Sequence, residues 1–221
     1  MTAAVVFDFD GVLADSERLH FAAFRDVLGD EGWTLSERDY FDRYLGFDDA
    51  ALVSEFARDQ QIALAAPAQA ALVQRKAEMF QSRLVAAGVL YPGAPAAIAR
   101  LGARYRLAIA SGSLAVEIRT VLAAAGLSQA FAAVIGADDV PRSKPAPDPY
   151  LAAVRALGVP ASAAVAIEDS RWGLESARAA GLRTIALTTS YGAAALDGAA
   201  DLVLASLDEV TVDAVAGLLG S

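Results

Sequence analysis

Apolar and polar positions along this chain follow two different rhythms. The stretch from Ala3 to Asp10, rich in Val and Phe and bounded by Gly11, predicts a strand buried on both faces. Asp8 and Asp10 stand where that strand ends. In an extended chain they point the same way and Phe9 points opposite. Two acids aimed together are costly unless a cation or a shared proton relieves their repulsion. From Asp15 or Ser16, either able to cap a helix, the rhythm becomes helical and stays so to about Leu84. Leu19, Phe21, Phe24, Val27 and Leu28 form one stripe, and Leu52, Val53, Phe56 and Ala57 another. Leu72, Lys76, Met79, Phe80, Arg83 and Leu84 recur along a helix opened near Pro67, and Leu45-Gly46-Phe47 marks a break.

From Tyr91 short apolar runs alternate with amphipathic stretches. The predicted strands are Arg106–Ala110, Ala133–Gly136, a run through Ala163, Val165 and Ile167, Thr184–Leu187 and Leu202–Leu204. Helices are expected from Pro95 to about Ala103, through Ile118–Ala125, from Asp148 as cap with Pro149 to Gly158, after Ser170 to Ala180, and over Val212–Leu219. Strands alternating with helices predict an α/β fold, a parallel sheet built from βαβ units. The all-helical block interrupts that pattern after its first strand. The expected division is a core of residues 1–15 and 85–221 and an inserted helical cap of residues 16–84.

Composition narrows the chemistry. With 221 residues, 56% hydrophobic and 20% charged, the chain suits one large domain with a small insertion. No apolar run approaches the roughly 18 residues that cross a bilayer. No basic segment precedes the first apolar run, so a secretory leader is not expected. There is no cysteine, and a cytoplasmic setting is the default. A net charge of −9 argues against a broad nucleic-acid surface, but not against a small anionic ligand. His20 is the only histidine, which leaves carboxylate oxygen as the metal donor and favours a hard ion such as Mg²⁺.

In an open parallel sheet, ligands bind beyond the carboxyl ends of the strands. That rim would gather Asp8, Asp10, Ser111 and the Glu168-Asp169 pair, with Lys144 from the Pro141–Asp148 loop. Lys144 and the Ser111-Gly112-Ser113 turn offer positive charge and donors for a phosphoryl group. An aspartate can form an aspartyl-phosphate, and a second acid can protonate the leaving oxygen and then activate water.

Asp8-Phe9-Asp10-Gly11-Val12, the Ser111 strand end, Lys144-Pro145 and Glu168-Asp169-Ser170 resemble the four motifs of the haloacid-dehalogenase-like superfamily. The resemblance is to its phosphatase branch, close to β-phosphoglucomutase and phosphoglycolate phosphatase. It implies a Rossmann-like core, a helical cap, and a Mg²⁺-dependent phosphatase acting on a small phosphorylated metabolite. By resemblance Asp8 is the nucleophile and Asp10 the general acid/base. Ser111, Gly112 and Lys144 bind the phosphoryl group, and Asp8, the Asp10 carbonyl, Glu168 and Asp169 hold Mg²⁺. Glu17, His20 and Lys76 are candidate substrate contacts from the cap.

The mutases grip a second phosphate with an Arg where this chain has Phe47-Asp48-Asp49, and with a Lys-Asn pair where it has Leu114-Ala115. Net hydrolysis is therefore expected over phosphosugar mutase activity, although Lys76 is kept as in the mutases. A phospho-receiver signalling domain is the rival of another class. The Asp8/Asp10 pair and the helical insertion argue against it. Taken singly, Arg43, Lys76 and Arg83 read as solvated helix residues, Trp172 as a packing residue, and His20 as facing the site or packing beside Phe21 and Phe24.

Overall fold

The computed structural model describes residues 2–44, 47, 49–86 and 88–220. Leu45, Gly46 and Asp48, on which the expected helix break and part of the mutase comparison fall, lie outside the described residues. The chain divides into two compact units, Met1–Asp15 with Gly88–Ser221, and Ser16–Ala87.

The first strand, β1 (Ala4–Phe7), is buried along its whole length. The helical unit follows. It holds α1 (Glu17–Asp30), the single turn α2 (Glu37–Asp39) running into a π-helical segment Tyr40–Tyr44, α3 (Asp49–Asp59) and α4 (Ala66–Ala86). Its core is made by Phe24, Val27, Leu28, Tyr40, Tyr44, Leu52, Val53, Phe56 and Leu72. These are the positions that recur at three- and four-residue spacing, so each helix turns one stripe inward.

The larger unit continues with α5 (Ala94–Gly102), β2 (Arg106–Ala110), α6 (Ala115–Ala124), β3 (Ala133–Ile135), α7 (Asp148–Leu157), β4 (Ala164–Glu168) and α8 (Arg171–Ala179). It ends with β5 (Arg183–Leu187), α9 (Ala193–Leu196), β6 (Leu202–Leu204) and α10 (Val212–Leu219). The strands form one sheet in the order β3-β2-β1-β4-β5-β6, each neighbouring pair parallel. Phe7 is level with Ile109 on one side and Ile167 on the other. The next residues along these three strands therefore emerge together at one rim.

Three expectations need correction. The first strand ends at Phe7, before either acid. The chain then turns: Leu13 and Ala14 both donate to the Phe9 carbonyl, and Gly11 adopts a φ of +75° that favours glycine. The acid pair thus sits on a turn, where strand alternation does not govern its direction. Second, Asp148 does not cap α7. Pro147 holds that position, and the Asp148 carboxylate accepts two bonds from Arg142. Third, the helical block is not uniformly α-helical, because Tyr40–Tyr44 adopts the wider π geometry.

Candidate active site

β1 delivers Asp8, whose N–H donates to the Ile167 carbonyl of β4 at 2.9 Å. β4 delivers Glu168 as its last residue and Asp169 directly after it. β2 delivers Ser111, whose N–H donates to the Ile135 carbonyl at 3.0 Å. Lys144 enters from the loop between β3 and α7. Its ammonium donates to Asp8 Oδ1 at 2.8 Å and to Glu168 Oε1 at 2.6 Å.

Asp8, Glu168 and Asp169 are buried, and each offers a carboxylate oxygen within 4.8 Å of the others. Burial, reinforced by repulsion from Glu168, pushes the Asp8 carboxyl well above the ordinary aspartate range. The same two causes push Asp169 up to about 7, against a hydrogen bond from Ser190. Burial also works against the charges on Lys144 and Glu168, but their neighbours outweigh it. Attraction to Asp8 and then to Glu168 holds Lys144 well above the usual lysine range, and Lys144 with the bonds from Ser170 holds Glu168 below the usual glutamate range.

Three buried carboxylates therefore face one ammonium. The excess negative charge and the all-oxygen donor set fit a hard divalent cation. Space is tight around them. A Cβ on Gly11 would lie 1.9 Å from Asp169 Oδ2, and one on Gly173 would lie 1.6 Å from Glu168 Oε1.

The Asp10 carboxylate lies outside this three-oxygen group, yet near enough that its charge adds to the repulsion on Asp8 and Asp169. Its Oδ2 accepts from Ser113 Oγ at 2.5 Å, with Ser111 Oγ 3.4 Å away. Asp8 and Asp10 thus face different partners, one the ammonium and the other the serine turn. Gly112 lies exposed between Ser111 and Ser113.

Glu168 is both a partner of Lys144 and a cap. Its Oε2 accepts the N–H groups of Asp169 and Ser170 and the Ser170 hydroxyl. Ser170 in turn caps α8 by accepting from Gly173 N–H at 3.1 Å.

Tyr150 is a site residue that the sequence does not announce. Its hydroxyl donates to Glu168 Oε1 at 3.2 Å, and its ring lies 5.1 Å from the Lys144 ammonium. Ser190 is another, and so is Thr189, whose hydroxyl donates to the Gly11 carbonyl. Tyr150 at the third position of an amphipathic helix looks like core, and nothing nearby in sequence marks its hydroxyl as a partner for a distant carboxylate.

The remaining candidates lie in the helical unit and bond within it. Glu17 accepts from the Tyr40 hydroxyl at 2.7 Å. Lys76 is not a solvated helix residue; it is only 2% exposed. Its ammonium donates to Asp49 Oδ1 at 2.6 Å, lies 2.6 Å from His20 Nδ1, and is 4.7 and 5.0 Å from the ring centres of Phe24 and Phe80. His20 stacks on Phe80 at 3.9 Å, and the ammonium it meets lies over the Phe24 ring. Arg43 pairs with Asp59, and Arg83 with Asp26. Trp172, expected to pack, is 62% exposed.

No helix among the described residues is long and apolar enough to cross a membrane. The family model for haloacid dehalogenase-like hydrolases matches residues 5–187. Protein CbbY of Rhodobacter capsulatus is 35% identical over 225 residues, covering 96% of each chain. The fructose-1-phosphate phosphatase YqaB of Escherichia coli (strain K12) is 32% identical, covering 83% of this chain and 95% of its own. A mutant of CbbY from Rhodobacter sphaeroides, solved in complex with xylulose-(1,5)bisphosphate, superposes with a TM-score of 0.84 at 30% identity, covering 97% of this chain and 99% of that one. With the motif residues gathered at one sheet rim, the chain belongs to the haloacid dehalogenase-like hydrolases, on the branch that holds phosphatases and β-phosphoglucomutase-like proteins.

Proposed function

We propose that this haloacid dehalogenase-like phosphatase hydrolyses a small phosphate monoester, of the sugar-phosphate or phosphoglycolate kind, through a phosphoryl group carried on Asp8. The observation that carries the reading is the Lys144 ammonium bridging Asp8 and Glu168 beside Asp169. A nucleophilic carboxylate and a fixed cation then lie together where a phosphoryl group can be held.

Asp8 attacks phosphorus and the bond to the leaving oxygen breaks, while Asp10 gives that oxygen a proton. Asp10 next takes a proton from water as the water attacks phosphorus, and the Asp8–phosphorus bond breaks to release inorganic phosphate. Lys144 neutralises the phosphoryl oxygens, and the Ser111 hydroxyl and Gly112 N–H orient them. Asp8, the Asp10 carbonyl, Glu168 and Asp169 would hold Mg²⁺, which supplies charge neutralisation and Lewis acidity when bound. Ser113 keeps Asp10 beside the phosphate turn.

Substrate choice is assigned to the helical unit, with Glu17, His20 and Lys76 as its candidate polar residues. Lys76, kept as in the mutases, gives a phosphosugar mutase reading its one specific support, although its ammonium is already paired with Asp49. Incubation with a sugar phosphate separates the two: inorganic phosphate supports hydrolysis, and an isomeric phosphate supports the mutase. The test of the main reading is p-nitrophenyl phosphate with Mg²⁺. Sustained phosphate release by the wild type and none by Asp8→Asn is expected. Wild-type turnover by Asp8→Asn removes the covalent path.

A further inference from the structure

The start of α6 borders the serine turn that holds Asp10. A helix N-terminus usually offers unpaired N–H groups and partial positive charge, which attract anions. Here three donors at and just before this helix start are engaged by side chains of the protein itself. Ser113 N–H donates to Ser111 Oγ at 3.0 Å, Leu114 N–H to Glu117 Oε2 at 3.4 Å, and Ala115 N–H to Asp138 Oδ1 at 2.9 Å.

Asp138 is fixed in place. It belongs to the turn Gly136–Asp139 that follows β3. Ala137 N–H donates to the Ser113 carbonyl at 2.9 Å, and Gly136 N–H donates to Asp139 Oδ2 at 3.0 Å. A Cβ on Gly136 would lie 2.3 Å from Ala115 N, so only glycine lets this turn close onto the helix. The exposed side chains beside these carboxylates are apolar, Leu114 at 42% and Val116 at 57%. Arg119, a cation on the same helix, turns to the Val134 carbonyl.

We infer that this flank rejects a second anionic group on the leaving-group side of the substrate, with Asp138 as a specificity-determining residue. The protein then takes monoesters whose leaving group is uncharged where it faces α6, and discriminates against sugar bisphosphates. This rests on the reading above, in which Asp10 protonates the leaving oxygen and so fixes which side the leaving group occupies. The Asp138 carboxylate occupies the Ala115 N–H, a donor this helix start would otherwise offer to an anion, and adds like-charge repulsion to the loss of that donor.

The experiment is competition against p-nitrophenyl phosphate hydrolysis by matched pairs, fructose 1-phosphate with fructose 1,6-bisphosphate and glucose 1-phosphate with glucose 1,6-bisphosphate. It reads affinity whether or not a given sugar phosphate turns over. Wild type is expected to bind each monophosphate more tightly than its bisphosphate. Asp138→Asn keeps an oxygen for Ala115 N–H but removes the charge, and should narrow the ratio about tenfold for a dianion several ångströms away. Leu114→Lys should narrow it further, and raised salt should narrow it in wild type but not in Asp138→Asn. Bisphosphates bound as tightly as monophosphates by wild type, or a ratio unmoved by both substitutions, would overturn the inference while leaving the phosphatase reading intact. Absence of p-nitrophenyl phosphate hydrolysis would overturn both.

Discussion

The Lys144 ammonium donates to Asp8 Oδ1 at 2.8 Å across 136 residues of chain, and the same nitrogen reaches Glu168 Oε1 at 2.6 Å. Because both carboxylates are buried and the lysine side chain is only 11% exposed, this cation is the internal counter-charge for the acid cluster. Lys144→Met keeps most of the stem and removes the charge. Leaving buried carboxylates without it should lower stability by about 3 kcal/mol in EDTA. Turnover with excess Mg²⁺ should fall about 10³-fold. Urea unfolding and p-nitrophenyl phosphate kinetics read the two effects, and near-wild-type values in both would remove Lys144 from the site.

Asp10 bonds to the serine turn and only adds repulsion to Asp8 and Asp169, so removing its charge should spare the fold. Asp10→Asn keeps the shape and cannot exchange a proton, so both chemical steps should slow by about 10²–10⁴-fold. Rapid-quench kinetics with p-nitrophenyl phosphate, whose leaving group needs little protonation, should show the second step slowed more than the first. Equal rates in variant and wild type would remove the acid/base role.

Chelation tests the oxygen cluster. Asp8, Glu168 and Asp169 concentrate negative charge in a buried space, and EDTA should abolish phosphate release reversibly. Added Mg²⁺ should restore activity and raise the melting temperature by preferential binding to the folded state. Gly11→Ala, whose Cβ would overlap Asp169 Oδ2, should raise the Mg²⁺ concentration needed for half-activity. Indifference of both turnover and melting to EDTA would exclude the metal.

Much of this was legible in the sequence because buried parallel strands are written as unbroken apolar runs. Arg106–Ala110 and Leu202–Leu204 carry their boundaries in the residues themselves, as does Val212–Leu219, whereas the strand expected to run to Gly136 stops at Ile135. The motif residues were readable too, since acids directly after such runs have little structural use. What could not be read was the pairing across long separations. Lys76 looks like any helix-surface lysine until Phe24, Phe80, His20 and Asp49 are seen around it. Asp138 looks like a turn acid until its distance to Ala115 N is known. The end of β1 was misplaced because Phe9 continues the apolar run, while the strand stops at Phe7 and, after Asp8 N–H has bonded to the Ile167 carbonyl, the chain turns onto the Phe9 carbonyl.

Gly173 offers a test in which helix propensity and site geometry oppose one another. It lies on α8, where alanine in place of glycine would normally stabilise by up to about 1 kcal/mol. Yet a Cβ there would overlap the Glu168 carboxylate, which is held by Lys144, Tyr150 and Ser170 and has nowhere to go. Gly173→Ala should therefore lower the urea midpoint and cut turnover at least tenfold. A more stable, fully active variant would show that Glu168 is less constrained than its contacts imply.

The His20 ring stacks on Phe80 and its Nδ1 lies 2.6 Å from the Lys76 ammonium. Nδ1 must accept there, so the neutral ring carries its proton on Nε2. Burial first, and then the Lys76 charge, hold the His20 pKa well below its ordinary value of 6.5. In the unfolded chain the ring protonates below that value while the folded protein keeps it neutral. The unfolded state therefore binds the extra proton, and this contribution to stability is complete above about pH 6.5. It declines as the pH falls through that value toward the depressed folded pKa, at up to about 1.4 kcal/mol per pH unit. His20→Gln can still accept from Lys76 and cannot titrate. Between pH 7.5 and 5.5 the wild type should lose about 1 kcal/mol more stability in urea unfolding than His20→Gln, the background of other titrating groups being shared. Parallel losses in the two proteins would mean that His20 takes up its proton in the folded state as readily as in the unfolded one, which its contact with a buried ammonium argues against.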